Sequence, residues 1–344
     1  MATRRILCID GGGIKGAIPI GFLARVEEVT GERVVDHFDL IAGTSTGGII
    51  AVGLGLGLSA KDILAFYRDD GPEVFGSALP SRFASWKERA LARCCDSLGR
   101  GARLVRWMVA PKHSPAGLRQ ALERVFGKRV LGESLTRLLI PAYHGDRRTV
   151  YVFKTSHHER VEIDHSSRAV DVALATAAAP TFFRAHQVPS GARLLDGGVW
   201  ANNPTGMAVV EAVGVLGWSP GKLKVLSLGC GDEVFVPNPD AGLFQLGRGA
   251  VTLLMQGQSF ASLGTAKILA GDGNVHRISP SIPKGLFSLD DGRPVDRLSG
   301  IGAEMARDAL PMLRREFLTC QREAFTPFHG MRSRHRSTMP VQAD

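Results

Sequence analysis

The sequence lacks a continuous apolar segment of about 18 residues, the length that a membrane-spanning helix requires. Its longest candidate, from Ile49 to Leu58, is too short and is rich in glycine. No transmembrane helix is therefore expected. The opening residues MATRRILCIDGGG carry only a brief apolar run before a glycine turn, which indicates a first core strand rather than a signal peptide.

Cysteine is also scarce. The chain has five cysteines: Cys8, Cys94, Cys95, Cys230 and Cys320. Their odd number and irregular spacing fit neither a disulfide framework nor the paired spacing of a metal motif. The adjacent pair would close a disulfide only under strain. We expect reduced thiols in a cytoplasmic protein, with no metal and no organic cofactor.

Positive charge is what the sequence has in excess. The 344 residues are 44% hydrophobic, enough for one large folded domain, and carry a net charge of +9. Between residues 82 and 129 the basic side chains far outnumber the acidic ones. This excess predicts attraction to an anionic partner, which is a membrane surface, a nucleotide or a nucleic acid. Solvated charges that serve only solubility are the alternative.

Strand and helix patterns alternate along the first 60 residues, which predicts an α/β fold with a mainly parallel sheet. Strands are predicted at 5–10, 38–42, 138–143, 149–154 and 223–228, and helices at 16–30, 46–58, 61–69, 171–179, 242–270 and 295–317. Residues 1–320 are predicted to form one domain, in which 70–132 is a helical insertion or cap. The basic residues 321–344 are predicted to be a mobile tail.

The stretch DLIAGTSTGG places Ser45 at the turn between a predicted strand and a predicted helix. A nucleophile elbow has this form, because a reactive serine must project from a sharp turn. Gly43 and Gly47 remove side chains that would collide there, and the following helix directs its partial positive charge at the site. A G-x-S-x-G pattern alone is a weak signal. The alternative is a turn in which Ser45 or Thr44 merely caps the helix.

A second motif, CIDGGGIKG, follows the first strand. A dinucleotide fingerprint would need an acidic residue at the end of the second strand, where the sequence has IAGTS. A P-loop would need Lys and then Ser or Thr after the last glycine. Successive glycines instead leave their backbone amides unobstructed, as an oxyanion hole requires. The glycines predicted to form this hole are Gly11, Gly12, Gly13 and Gly16. Lys15 either supports the loop or an anionic head group, or is solvated.

The serine also needs a general base. The late histidines, His276 in GNVHRIS and His329 in the basic tail, have no persuasive context. Asp196, in LLDGGVWANNP, ends a predicted strand before two glycines. It would reach Ser45 directly if the two strand ends lie together. The alternative for Asp196 is an ordinary Asp-Gly turn.

Together these motifs resemble the patatin-like phospholipase family. The matching residues are DGGGIKG from Asp10 to Gly16, GTSTGG from Gly43 to Gly48, and DGG from Asp196 to Gly198. Further likeness lies in AAAPTFF (177–183), NNP (202–204) and LSLGCG (226–231), so that the resemblance covers about residues 5–235. Cys230 departs from it, because a small hydroxyl residue is expected there.

The resemblance implies a three-layer α/β/α fold and a catalytic dyad without histidine, in which Ser45 is the nucleophile and Asp196 the base. It implies hydrolysis of membrane phospholipid by a cytoplasmic protein that lies at the inner membrane face when active. Similar bacterial proteins include antiphage effectors that a cyclic di- or oligonucleotide switches on. DNA is not expected as a partner, and a homo-oligomer is compatible with the sequence. A non-catalytic nucleotide-binding module built on the glycine loop is the competing interpretation.

Overall fold

The structure is a computed structural model that describes residues 2–74, 115–233, 243–282 and 294–329. Its strands are β1 (Arg4–Ile9), β2 (Leu40–Gly43), β3 (Arg137–His144), β4 (Thr149–Lys154), β5 (His186–Gln187), β6 (Arg193–Asp196), β7 (Leu223–Leu228), β8 (Asp232–Glu233), β9 (Val275–Ile278) and β10 (Ser281–Ile282). Within these residues the main sheet has the order β5-β6-β3-β2-β1-β7-β9, with β4 paired to β3.

The centre of the sheet is parallel. β1 is parallel to β2 and β7, β2 to β3, and β7 to β9, whereas β4 and β6 are antiparallel to β3 and β5 is antiparallel to β6. The separate pair β8 and β10 is also parallel. Parallel strands are covered on both faces, which explains why β1 and β2 are almost uninterrupted apolar runs. The prediction of a mainly parallel sheet is confirmed.

Helices cover both faces of the sheet. They are α1 (Ala17–Thr30), α2 (Thr46–Gly55), α3 (Ala60–Asp69), α4 (Gly71–Val74), α5 (Pro115–Phe126), α6 (Ala169–Thr176), α7 (Gly198–Ala201), α8 (Thr205–Gly214), α9 (Leu243–Ala270) and α10 (Val295–Glu316). Ser59 caps α3, because its hydroxyl accepts the Asp62 N–H. The resulting arrangement is the expected three-layer α/β/α fold.

Alternation along β1 divides the core into two clusters. Leu7 and Ile9 face the larger cluster, which includes buried residues of α1, α2, α3, α5, α6 and α10. Ile6 and Cys8 face the smaller cluster, which includes residues of α8 and α9. α1 and α10 approach each other so closely that a Cβ on Gly302 would lie 2.0 Å from the carbonyl oxygen of Ile18.

The predicted insertion or cap, residues 70–132, is described only at its two ends. Residues 75–114 lie outside the described residues. The helix that follows them, α5, packs on α6 with Leu118, Leu122 and Phe126 buried in the larger cluster. The apolar stripe of α5 therefore packs inside the domain.

The first residues of the predicted tail, 321–329, make backbone hydrogen bonds to the domain. The Arg322 N–H donates to the carbonyl oxygen of Asp36 at 2.7 Å, and the Phe328 N–H donates to that of Ser156 at 2.7 Å. Residues 321–329 thus lie along the domain, held by backbone hydrogen bonds that their basic composition does not reveal. Residues 330–344 fall outside the described part of the chain.

None of the helices in the described ranges combines the length and apolarity needed to cross a bilayer. The same ranges hold no cluster of three or more His, Cys, Asp or Glu side chains able to bind a metal ion.

Candidate active site

Ser45 lies at the turn between β2 and α2, where its sequence pattern placed it. Its backbone has φ 55° and ψ −123°, a conformation that residues with side chains rarely adopt. A Cβ on Gly43 would lie 2.1 Å from the carbonyl oxygen of Gly47, and one on Gly47 would lie 2.3 Å from that of Ile9. Only glycine fits these two positions, and the turn concentrates backbone strain on the serine.

The Ser45 hydroxyl bonds to Asp196 rather than to the helix. Ser45 Oγ and Asp196 Oδ2 are 2.6 Å apart, and the serine side chain makes no capping bond to α2. Asp196 Oδ1 accepts the Gly198 N–H at 2.6 Å. The Ser45 N–H donates to Thr176 Oγ1 at 3.0 Å, which anchors the backbone of the turn. Hydroxyl and carboxylate therefore meet in the direct contact that the sequence predicted.

The register of β6 brings Asp196 to this position. Asp196 is the last residue of β6 and pairs with Ala142 of β3, which is itself the neighbour of β2. At the next residue, Gly197, a Cβ would lie 2.3 Å from the carbonyl oxygen of Pro141. Any other residue at Gly197 would push the end of β6 away from β3, so this glycine helps to set the distance to Ser45.

The Asp196 carboxylate is 4% exposed. Burial raises the pKa of Asp196 to about 6 from an ordinary 3.8, although the hydrogen bonds from Ser45 and Gly198 act in the opposite direction. No cationic side chain of the described residues contacts it. A carboxylate with a raised pKa is a better proton acceptor for an alcohol.

The glycine loop leaves β1 and enters a 3₁₀ turn ahead of α1. The Gly11 N–H donates to the carbonyl oxygen of Asn202 at 3.0 Å, and the Gly12 N–H donates to Thr46 Oγ1 at 3.2 Å. Gly13 has φ 57°, and no acceptor for its N–H is found within the described ranges. Of the four glycines predicted to form the oxyanion hole, Gly11 already donates its amide to Asn202. That leaves the amides of Gly12 and Gly13 as the better candidates for binding an oxyanion.

The same glycines permit close packing. A Cβ on Gly11 would lie 3.1 Å from the Cβ of Ser45, so the loop runs directly beside the serine. A Cβ on Gly12 would lie 2.3 Å from that of Cys230, and one on Gly16 would lie 2.7 Å from a buried tyrosine hydroxyl. The residue that departs from the family pattern, Cys230, thus packs against the loop itself.

β9 contributes Arg277, which the sequence gave no reason to select. Its Nη1 and Nη2 lie 2.9 Å and 2.6 Å from the two carboxylate oxygens of Asp10, and Nη1 also donates to Ser227 Oγ at 3.0 Å. Asp10 immediately precedes the glycine loop. This bidentate pair therefore fixes the point at which the loop leaves β1. The pairing of β9 with β7 brings Arg277 there from a distant part of the chain.

Two other polar side chains that sequence reasoning left without a role hold the site together. Asn202 Nδ2 donates to the Gly11 carbonyl oxygen at 3.3 Å. Thr176 Oγ1 donates to the Pro141 carbonyl oxygen at 2.6 Å while it accepts the Ser45 N–H. Asn202 begins the NNP motif and Thr176 directly precedes AAAPTFF, so the resemblance marked both segments without showing what they do.

The late histidines lie away from the site. The His276 ring packs on Phe317 with centroids 5.5 Å apart, and His329 Nε2 lies 2.6 Å from the carbonyl oxygen of Glu159. Across the described residues, no histidine contacts the serine or the carboxylate. Lys15 is 5% exposed, so it is not a solvated lysine.

Comparison with known proteins identifies relatives named as phospholipases and as patatin-like proteins. A "cGAMP-activated phospholipase" of Pseudomonas aeruginosa is 36% identical over 202 residues, 59% of this chain and 54% of that protein. A protein of the same name from Escherichia coli is 32% identical over 216 residues, 60% and 55% of the two chains. "Patatin-like protein 3" of Arabidopsis thaliana is 33% identical over 234 residues, 60% and 51%. The chain spans about half the length of these relatives.

The sequence model of the patatin-like phospholipase family matches residues 7–209. That range is more than half of the chain and contains the glycine loop, the elbow and Asp196. The chain belongs to the patatin-like phospholipase family.

Proposed function

We propose that this chain is a lipid acyl hydrolase that cleaves phospholipid carboxylic esters through an acyl-enzyme on Ser45. The observation that carries the proposal is the 2.6 Å contact between Ser45 Oγ, on a strained turn, and the buried Asp196 carboxylate. A serine hydroxyl is a weak nucleophile, and an adjacent base is the usual means of activating it. Membership of the patatin-like phospholipase family supports the choice of lipid esters as substrates.

Ser45 Oγ attacks the ester carbonyl carbon while its proton passes to Asp196 Oδ2 along the existing hydrogen bond. Free aspartate is a poor base for an alcohol, so the rise of its pKa to about 6 assists the transfer. The protonated carboxyl then gives its proton to the leaving alcohol. In the second half, Asp196 takes a proton from the water that attacks the acyl-enzyme, and the fatty acid leaves with the serine restored.

The oxyanion needs backbone donors close to the serine. We assign this role to the amides of Gly12 and Gly13, because the Gly11 amide is engaged with the Asn202 backbone and Gly16 is the last residue of the 3₁₀ turn that Gly13 begins. Each such donor is worth about 3 kcal/mol of the barrier. The Thr46 hydroxyl would have to release the Gly12 amide when the tetrahedral intermediate forms.

The packing of the glycine loop disfavours a non-catalytic nucleotide-binding module. Gly11 and Gly12 bring the loop against Asn202 and Cys230, at separations that leave no space for a Cβ. A phosphate cradle instead needs glycines that admit a ligand to the backbone.

A serine-reactive fluorophosphonate tests the proposal directly. We expect the label on the Ser45 peptide, and no label and no hydrolysis of a fluorescent phospholipid in Ser45→Ala. Ser59→Ala is the matched control, because Ser59 also precedes a helix but only caps it. Ser59→Ala should keep both the label and the activity. A labelled peptide elsewhere, or hydrolysis retained in Ser45→Ala, contradicts the proposal.

The names of the bacterial relatives support a second element of function, activation by a cyclic dinucleotide. We propose that such a ligand raises phospholipid hydrolysis by this chain, as in an antiphage effector. Hydrolysis of vesicle phospholipid should rise in the presence of cGAMP or another member of a cyclic dinucleotide panel, and calorimetry should detect binding. Full activity without any nucleotide, together with no binding, contradicts this element and leaves the hydrolase proposal intact. In that role the protein would work at the inner membrane face.

A further inference from the structure

The described outer face of α9 is apolar. Leu254, Phe260 and Ile268 are exposed by 72%, 75% and 85%. Helical spacing puts these three residues on one side of the helix. Leu253 and Leu269, which are less exposed, lie beside them. The other exposed residues of this face are Gly257, Ala261, Thr265 and Lys267. Large apolar residues on the water-facing side of a surface helix form a patch that a soluble domain ordinarily avoids.

The inner face of the same helix carries polar anchors. Gln258 Oε1 accepts the Asn202 N–H at 2.9 Å, and Ser259 Oγ accepts from Asn203 Nδ2 at 3.0 Å. Ser262 Oγ donates to the Asn203 carbonyl oxygen at 2.8 Å. The same inner face buries Ala266 and Ala270 in the smaller core cluster, so α9 has a packed inner face and, in addition, a large apolar outer face. Packing among the described residues does not account for Phe260 and Ile268.

This apolar face adjoins the active site. The Asn202 backbone that Gln258 binds also accepts the Gly11 N–H of the glycine loop. Gln258 Nε2 reaches the Val199 carbonyl oxygen at 3.5 Å, and the Val199 side chain is itself 47% exposed. Gln258 lies where the inner face meets the exposed face, because Leu254, one helical turn before it, is exposed. The exposed patch is thus continuous with α7, which begins two residues after the catalytic carboxylate.

The charge of α9 indicates what covers the patch. The helix has no acidic residue among its 28, while Arg248 and Lys267 are basic. Lys267 is at the border of the apolar face and forms an exposed ion pair with Asp272, which follows the end of the helix. A helix with an exposed apolar face and no acidic residue of its own is suited to lie in the headgroup region of an anionic bilayer.

We propose that α9 docks on an anionic phospholipid bilayer through Leu254, Phe260 and Ile268, which enter the interface and place the active site at the lipid surface. This inference rests on the proposed hydrolysis of membrane phospholipid, and it names the surface that brings enzyme and substrate together. The helix lies in the plane of the membrane, since it does not have the apolarity to cross.

A second copy of the chain is a less suitable occupant. The five large side chains expose on the order of 500 Å² of apolar surface, whereas a stable interface buries about 800 Å² on each partner. A bilayer needs no minimum area from a single contact, and its anionic headgroups meet no acidic residue on α9.

Vesicle flotation tests the docking face separately from catalysis. Full-length Ser45→Ala protein is mixed with vesicles of phosphatidylglycerol and phosphatidylethanolamine, so that no lipid is consumed. Adding Phe260→Ser and Ile268→Ser should weaken binding on the order of 30-fold, because two apolar side chains no longer enter the interface. The matched control carries Ile163→Ser and Phe328→Ser, the same residue types at 77% and 63% exposure outside α9. It should bind within about twofold of the parent.

In the active background, the Phe260→Ser, Ile268→Ser protein should lose vesicle hydrolysis in parallel with binding and keep its rate on a soluble butyrate ester. Equal flotation of the double variant and the control overturns the docking proposal. So does a dimer in light scattering that the double variant converts to a monomer, because a second copy then covers the face. An active-site failure is distinguishable, since it would remove soluble-ester hydrolysis and leave flotation unchanged.

Discussion

Two buried aspartates at opposite ends of the sheet differ in what surrounds them. Asp39 precedes β2 and is 1% exposed, and its carboxylate accepts from Arg4 Nη1 at 3.2 Å and from the Arg5 N–H at 2.9 Å. Asp196 ends β6 and is 4% exposed, and among the described residues its carboxylate accepts only from Ser45 and Gly198. The Asp39 carboxylate has a cationic side chain beside it, whereas the Asp196 carboxylate has the Ser45 hydroxyl instead.

The presence or absence of a neighbouring cation indicates which buried carboxylate stabilises the fold and which is suited to proton transfer. A buried carboxylate beside a guanidinium is compensated and contributes to the architecture. A buried carboxylate without a cation is destabilised in its charged form, which is why the pKa of Asp196 rises to about 6. The C-terminal edge of the parallel strands therefore holds an uncompensated carboxylate. At the opposite edge, the Asp39 carboxylate also accepts the Glu323 N–H at 3.3 Å, which connects the start of β2 to the segment after α10.

Removing the uncompensated charge should have the largest effect on activity. Asp196→Asn should lower kcat/KM for a soluble ester by about 10⁴-fold, because the amide cannot accept the serine proton. It should also raise the free energy of unfolding at pH 8 by about 1–3 kcal/mol, because a difference of about two pKa units costs the folded protein roughly 3 kcal/mol. Denaturant unfolding with steady-state kinetics measures both.

The sign of this stability change follows from the raised pKa. The folded protein binds a proton at Asp196 more tightly than the unfolded chain, so wild type loses stability as pH rises from about 4 to about 6. The gain from Asp196→Asn should be full above pH 6 and should vanish below about pH 4. A destabilised Asn variant at pH 8 would show that Asp196 serves the fold rather than the reaction.

The compensated aspartate should respond in the opposite way. Asp39→Asn removes the carboxylate that binds Arg4 and the Arg5 N–H, leaves Arg4 only its ion pair with Glu323 among the described residues, and should lower the free energy of unfolding by about 1–3 kcal/mol. Hydrolysis of the soluble ester per folded molecule should stay within about twofold of wild type, because the site lies at the other end of the sheet. The same unfolding and kinetic measurements apply. A large loss of activity in folded Asp39→Asn protein would remove the distinction between the two ends.

A third aspartate, Asp10, lies close to the site and is paired with a cation, Arg277. It therefore tests whether a compensated carboxylate near the site also affects the reaction. Arg277→Gln should leave the fold intact and lower kcat for the soluble ester by about 10- to 100-fold with little change in KM, because a displaced glycine loop misplaces the oxyanion donors. Arg277→Lys should recover part of the loss. The control is Arg68→Gln, which removes an exposed ion pair with Asp296 and should have no kinetic effect. Equal kcat in Arg277→Gln and wild type would limit Arg277 to a packing role.

Much of this site was predictable from local sequence. The elbow at Ser45 and the Asp-Gly-Gly turn at Asp196 carry their geometry in adjacent glycines, whose missing side chains allow backbones to approach within 2.1 to 2.3 Å of the Cβ positions. Strand and helix positions were also predictable from local sequence, because burial of one face leaves a periodic apolar pattern.

The unpredicted features depend on contacts between distant segments. Arg277 reaches Asp10 only because β9 pairs with β7, and neither neighbouring sequence indicates the contact. The backbone contact that engages the Gly11 amide with Asn202 is equally invisible, because any residue supplies a carbonyl oxygen. The packing of residues 321–329 uses main-chain hydrogen bonds, which composition does not encode.

The pH profile gives the smallest effect and isolates the ionisation itself. Because Asp196 must be ionised to accept the serine proton, kcat/KM for the soluble ester should be constant above about pH 6 and fall about tenfold per pH unit below it. A soluble ester is used so that protonation of lipid headgroups does not contribute. The residual activity of Asp196→Asn should lack this acidic limb, whereas Asp39→Asn should retain it. A wild-type limb near pH 4 would mean that the carboxylate is solvated like an ordinary aspartate, and the contrast between the two ends of the sheet would then fail.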